Sequence, residues 1–288
     1  MITLCPAKIN LYLDIRGRRP DGYHDIVTVM QTIDLYDELL LEARGGGEIG
    51  MECDAPGLPV DRRNLCVRAA EAMRRLAAPG RGIRIALKKR IPVAAGLGGG
   101  SSDAAGVIRG LNRLWEMGLG REALEEIAAG LGSDVPVFIS GGTARCTGRG
   151  GRVSAFGGAP RLAYIMVSPP IAVSTADVYA ALDAGGEAKV PDEAGFLRAI
   201  ESGDPRRVSR RLYNRLEDAP GPHRGEVDRL KALLLARGAL GACMSGSGSS
   251  VFGLAPDLED ARRLARAIVG EIGDGAFLHF GLTNVPVE

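Results

Sequence analysis

Pro92-Val93-Ala94-Ala95-Gly96-Leu97-Gly98-Gly99-Gly100-Ser101-Ser102-Asp103-Ala104-Ala105 is the stretch that decides the fold. Ile83, Ile85 and Leu87 alternate before it, as a strand that stops near Pro92. After it, small and apolar residues recur at helical spacing from about Ser101 to Trp115. Glycines let the backbone approach a polyphosphate and turn its N–H groups toward it. A helix that opens there adds free N–H groups and a positive dipole end. Ser101 and Ser102 supply hydroxyls to a phosphate oxygen or a bound Mg²⁺. With 41 glycines in the chain, a glycine run alone proves little. Gly45-Gly46-Gly47 and the stretch Gly148 to Gly151 do not open into small-residue helices and read as loops. The G-x-x-x-x-G-K-[ST] pattern is absent, and the decisive stretch lacks Rossmann G-x-G-x-x-G spacing.

Toward the N-terminus, Ile9, Leu11, Leu13 and Ile15 alternate with Lys8, Asn10, Tyr12 and Asp14, which predicts a half-buried strand. Turn residues Gly17 to Gly22 separate it from a strand-like run, Ile26 to Leu35, giving an antiparallel pair. Lysine is scarce, with Lys8, Lys88, Lys89, Lys189 and Lys231 among 36 basic residues. Lys8 in a strand is either a solvated residue or a compact point charge beside a hydroxyl or phosphate. Asp21-Gly22-Tyr23-His24 reads as a turn whose Tyr-His pair is surface decoration or a platform for a ring. Asn64 opens a helical pattern through Leu76 that should stop at Pro79-Gly80.

Toward the C-terminus, a helix near Arg121 to Ala129 leads to Gly132-Ser133-Asp134-Val135-Pro136. Asp134 there is either a helix N-cap or a carboxylate placed to take a proton from a nucleophilic hydroxyl. Glycine is dense from Gly141 to Gly158, and a strand restarts at Ala163, so the boundary is expected near 155. That gives domains 1–155 and 156–288, each α+β. The second is expected to carry helices over 174–182, 193–201, 205–216, 224–237 and 257–270, with strands over 250–254 and 276–281. Met244-Ser245-Gly246-Ser247-Gly248-Ser249-Ser250 is a second glycine loop, following a short link from Gly238 to Cys243. Alone it reads as well as a tight helix–strand connection.

Composition narrows the function. A formal net charge of +1 gives no global field toward nucleic acid or an anionic membrane. No basic cluster with interleaved aromatics occurs, which speaks against a nucleic-acid partner. No run approaches 18 apolar residues, and no secretory leader opens the chain, so a cytoplasmic protein without a membrane partner is expected. The five scattered cysteines suggest neither zinc site nor disulfide framework, and the sequence leaves oligomeric state open.

Taken in order, Pro6-Ala7-Lys8-Ile9-Asn10-Leu11, Pro92 to Ala105, Gly132 to Pro136 and Met244 to Ser250 resemble the GHMP kinase family along the whole chain. The resemblance implies a two-domain α+β fold, with an N-terminal domain like ribosomal protein S5 domain 2 and a ferredoxin-like C-terminal domain. It implies ATP as co-substrate, with Mg²⁺, over Pro92, Val93, Ala94, Ala95, Gly96, Leu97, Gly98, Gly99, Gly100, Ser101 and Ser102. Lys8 and Asp134 become the catalytic pair, and no protein residue is assigned to a metal. Pro20-Asp21-Gly22-Tyr23-His24 resembles members whose small acceptor carries a cytidine diphosphate group, in non-mevalonate isoprenoid precursor synthesis. Tyr23 and His24 would then hold the cytosine, and Asn10 would line the same site. A kinase for homoserine, mevalonate or a sugar is the alternative, as is a silent ligand sensor of this fold. Val93-Ala94-Ala95 and Val137 depart from the family pattern and bear on loop geometry and packing.

Overall fold

The computed structural model describes residues 1–77, 80–183 and 191–287. Its first half is organised by a long antiparallel pair, β1 (Ile2–Arg18) and β2 (His24–Arg44). Both strands outrun the alternation visible in the sequence. From Cys5 to Leu13 every residue of β1 is buried, the polar Lys8 and Asn10 included, so alternation understates its length. Register shifts at Pro6/Ala7, Asn10/Tyr12 and Ile15/Gly17 bend the pair.

The other first-half strands are β3 (Ile49–Cys53), β4 (Gly82–Lys88), β5 (Thr143–Gly148) and β6 (Arg152–Ala155). They pair in the order β3-β4-β2-β1, while the early part of β2 takes β5, which pairs with β6. Helices α1 (Leu65–Leu76), α2 (Gly99–Leu114), α3 (Arg121–Ala129) and the short α4 (Val137–Ser140) complete this half. Asn64 caps α1, its side-chain oxygen accepting from the Cys66 N–H at 2.9 Å. The expected stop at Pro79 lies outside the described residues. Val107, Ile108 and Leu111 of α2 pack with Leu39, Leu41, Ile83 and Ile85 of the sheet, which fixes where α2 begins.

In the second half, β7 (Ala163–Ser168) is followed by α5 (Thr175–Asp183), α6 (Glu193–Glu201), α7 (Pro205–Ser209) and the two-residue β8 (Tyr213–Asn214). Then come α8 (Arg224–Ala236), β9 (Gly241–Met244), β10 (Val251–Ala255), α9 (Leu258–Ile268) and β11 (Phe277–Leu282). The sheet runs β11-β7-β10-β9, with every pairing antiparallel. Leu230 and Leu234 of α8 and Leu264 and Ile268 of α9 share its core with Ile165 and Val167.

Several expectations are corrected here. The helix expected over 205–216 breaks after Ser209, because Tyr213 and Asn214 pair in parallel with Tyr12 and Leu13 of β1. The link from Gly238 to Cys243 holds the first three residues of β9, which ends at Met244 of the second glycine loop, and the glycine-dense stretch holds β5 and β6. Short strands rich in glycine and alanine carry little periodic signal, and distant partners supply their stability. A cut at 155 also leaves β8 in the first-half sheet. Thr283 bridges Ile33 and Pro286 bridges Gly141, so the C-terminal segment returns as well. Among the described residues no helix is long and apolar enough to cross a membrane. All five cysteines are free thiols.

Candidate active site

Lys8 lies mid-β1, 3% exposed. Its ammonium donates to the Asn10 side-chain oxygen at 2.6 Å and to the Gly96 carbonyl at 2.8 Å. A carboxylate oxygen of Asp134 stands 3.9 Å away. Burial holds the lysine pKa below its usual range, while the Asp134 charge works in the opposite direction. The Asn10 amide N–H₂ donates to Thr28 Oγ1 at 2.8 Å, and that hydroxyl donates to the Tyr12 carbonyl at 2.7 Å. Asn10 is thus engaged at both ends, holding Lys8.

Asp134 sits in the turn before α4. The cap position of α4 is Pro136, with no side-chain cap, so Asp134 caps no helix. Its side chain is 37% exposed, open to the cleft yet within reach of the buried lysine. The neighbouring Cys146 thiol is pushed up to about 12, chiefly by burial and then by Asp134. It stays protonated and is no candidate nucleophile.

The glycine loop joins these groups to α2. Gly98 is the residue before the helix, at φ +71°, and offers no capping side chain. The first-turn N–H groups of α2 therefore receive no side-chain acceptor at the cap. Gly96 is at φ +78°, and a Cβ there would collide with the Ser245 carbonyl. Gly98 is hemmed by the Phe138 ring at 2.9 Å and Gly99 by Ile91 and Lys89 at 3.1 Å, whereas Gly100 is open. Ser102 is fully buried in the first turn, and its hydroxyl has no partner.

The second glycine loop, ambiguous in the sequence, docks on the first. Ser245 Oγ donates to the Gly96 carbonyl at 3.0 Å, and the Ser250 N–H to the Ala95 carbonyl at 3.3 Å. Buried Asn214 of β8 holds it there, donating to the carbonyls of Met244 at 2.8 Å and Gly246 at 2.7 Å. Nothing in the local sequence announces this residue.

These elements enclose a cleft of about 380 Å³. Lys8, Asn10, Asp134 and Pro92 through Ser101 line it. Leu58, Asn64, Leu65 and Leu87 also line it, a role the sequence does not show because Asn64 registers there only as a helix start. Val173, Thr175 and Tyr179 of the second half complete its lining together with the second glycine loop. His24 is at the margin, its ring 4.7 Å from that of Tyr179 and its Nε2 2.7 Å from Asp183 Oδ1. Tyr23 lies farther out, 52% exposed, with the Arg149 guanidinium 3.4 Å over its ring. Neither of the two lines the cleft, so the structure unites the lysine, aspartate and loop but not the Tyr-His pair.

Comparison with known proteins agrees with this geometry. The model of the GHMP kinases N terminal domain matches residues 64–142, and that of the GHMP kinases C terminal matches residues 196–274. A 4-diphosphocytidyl-2-C-methyl-D-erythritol kinase of Pelotomaculum thermopropionicum is 46% identical over 263 residues, covering 91% of this chain and 92% of that one. An Exiguobacterium sibiricum protein of the same name is 44% identical, covering 94% of each. A crystal structure of 4-(cytidine 5'-diphospho)-2C-methyl-D-erythritol kinase superposes with TM-score 0.81 at 35% identity, covering 99% of this chain and 100% of that one. Homoserine kinase from Cytophaga hutchinsonii, at TM-score 0.77 and 20% identity over 99% and 95% of the two chains, shares the fold. With both halves matched and a lysine–aspartate pair set beside a docked pair of glycine loops, the chain belongs to the GHMP kinase family.

Proposed function

We propose that this chain transfers the γ-phosphoryl group of ATP to the 2-hydroxyl of 4-diphosphocytidyl-2-C-methyl-D-erythritol, in cytoplasmic non-mevalonate isoprenoid precursor synthesis. The observation that carries the chemistry is the 3.9 Å approach of Lys8 to an Asp134 that caps no helix, on the wall of the cleft. The choice of acceptor is supported by relatives at 42–46% identity over more than nine-tenths of the chain.

Asp134 accepts the proton as the acceptor oxygen bonds to the γ-phosphorus and the bond to the ADP oxygen breaks. Lys8, held by Asn10 and Gly96, polarises the hydroxyl and orients Asp134. Asn10 positions Lys8 rather than reading the acceptor itself. The amino end of α2 cradles the phosphates through backbone N–H groups. Magnesium would come bound to ATP and neutralise charge on the phosphates. The unpartnered Ser102 hydroxyl suits a phosphate oxygen or that ion. Adenine then lies against Leu58, Asn64, Leu65 and Leu87 on the wall of the same cleft. In this reading residues 1–155 bind ATP and 156–288 close the cleft, with Tyr23 and His24 meeting the cytosine from its margin. The test is ADP release with the cytidyl substrate beside homoserine and mevalonate. Turnover confined to the cytidyl substrate is expected, and turnover with another acceptor alone overturns the assignment.

A further inference from the structure

A buried ion cluster beneath the glycine loop takes no part in the roles above. The Lys89 side chain is 7% exposed, and its ammonium bridges Asp37 of β2 and Asp103 of α2, touching Asp103 Oδ2 at 2.8 Å and Asp37 Oδ2 as well. The other Asp37 oxygen accepts from the backbone N–H of Arg90 at 2.6 Å and of Ile91 at 2.9 Å. Asp37 therefore fastens the backbone just before Pro92, and Lys89 with Asp103 fastens the helical turn just after Ser102. Both ends of the loop are tied to one point on β2. Lys89 also stands under the loop itself, 3.1 Å from where a Gly99 Cβ would be.

Stability alone is a poor reason for such a cluster. Replacing a buried ion pair or triad with well-packed apolar side chains is often neutral or stabilising. Here two carboxylates share one ammonium, and Asp103 Oδ1 is buried without a partner. Burial raises the Asp103 pKa, Lys89 opposes that and Asp37 adds to it. What the cluster supplies is geometry: salt-bridged ends hold the loop at one width, while Gly98, Gly99 and Gly100 beside α2 leave its backbone open to a ligand.

We propose that Asp37, Lys89 and Asp103 are positioning residues for the nucleotide, fixing the span between the loop entrance and the amino end of α2 so that backbone N–H groups meet the phosphates. The inference rests on the reading that places ATP over this loop. Lys8 and Asp134 make none of these contacts, and Lys8 meets the loop at the Gly96 and Leu97 carbonyls rather than at its tied ends, so the nucleotide is affected more than the acceptor. Misplacing groups by an ångström is enough to cost about 100-fold, so the signature is large and selective.

The experiment titrates a non-hydrolysable ATP analogue into wild type, Lys89→Met, Asp103→Ser and Asp103→Asn, with thermal melts and acceptor kinetics alongside. Lys89→Met and Asp103→Ser are expected to raise the analogue Kd about 10- to 100-fold. Asp103→Asn, which keeps an oxygen for Lys89, should remain within a few-fold of wild type. The acceptor KM should move much less than the analogue Kd in every folded variant. Folded Lys89→Met or Asp103→Ser with wild-type Kd overturns the inference, as does a parallel rise in the acceptor KM. Should Lys89→Met not fold, the serine–asparagine contrast at 103 decides alone. Wild type that fails to bind the analogue removes the ATP reading and this inference together; wild-type binding with unchanged variants removes the inference only.

Discussion

The Gly96 carbonyl accepts the Lys8 ammonium at 2.8 Å, so the lysine of the candidate catalytic pair and the glycine loop are one mechanical unit. The same carbonyl accepts the Ser245 hydroxyl, which brings in the second half of the chain. Lys8 is thus placed by groups remote in sequence before any substrate arrives, and such preorganisation makes an electrostatic group effective.

Asp134→Asn is expected to lower kcat by about 10²–10⁴-fold, the usual worth of general-base assistance, while the ATP analogue binds as before. The side chain is uncommitted to any helix cap, so any fall in melting temperature should come from the loss of its charge beside buried Lys8. Turnover within a few-fold of wild type would remove Asp134 from the mechanism.

The pH dependence has a definite sign. Burial lowers the Lys8 pKa and Asp134 raises it. Because the ammonium exists only below that pKa, kcat should fall as pH rises through a value beneath the ordinary lysine figure of about 10.4. Asp134→Asn deletes the contribution that raises it, so the basic limb of the residual rate moves to lower pH. Between the folded and unfolded lysine pKa values the unfolded chain binds more protons at this site, so its contribution to stability rises with pH there. Rate profiles of the two proteins check the shift; a limb that stays in place, or moves up, contradicts it.

The loop glycines are not equivalent. Gly96→Ala should cost stability, since a left-handed alanine is disfavoured by roughly 1–2 kcal/mol even before its collision with Ser245. Analogue affinity should fall with it. Gly100→Ala has open space and helical context, so the fold should accept it unless a bound phosphate occupies that space. Gly45 is the clean control, because Gly46 and Gly47 are themselves at positive φ. Melting curves and analogue titration of the Gly96, Gly100 and Gly45 variants separate these cases.

Tyr23→Ala should raise the acceptor KM roughly 5- to 150-fold if its ring stacks on the base, since such stacking is worth about 1–3 kcal/mol. In the structure Arg149 covers that ring, so the base must displace the guanidinium or use the other face. His24→Ala should act in the same direction, by freeing Tyr179 and Asp183 as well. ATP parameters should stay level in both. Steady-state kinetics with each substrate varied in turn is the measurement, and an unmoved acceptor KM in both variants would end the cytidine role of this pair.

By itself the sequence determined the parts that local chemistry dictates. Glycines before a small-residue helix specify a tight turn that leaves the helix's first N–H groups open, because backbone freedom and helix termini are local properties. The order of the motifs was equally legible, and with it the family. Tertiary structure decided everything that needs a partner distant in the chain. It buried Lys8 and lowered its pKa, took Asp134 out of a capping role, and engaged Asn10 at both ends. It also turned Tyr213 and Asn214 from an expected helix into a strand beside β1, and made the second glycine loop the brace of the first. Hydrogen bonds spanning 88 and 149 residues hold Gly96 to Lys8 and to Ser245, and no local pattern encodes either, because the first exists only once the glycine loop has packed on β1 and the second only once the two halves have met.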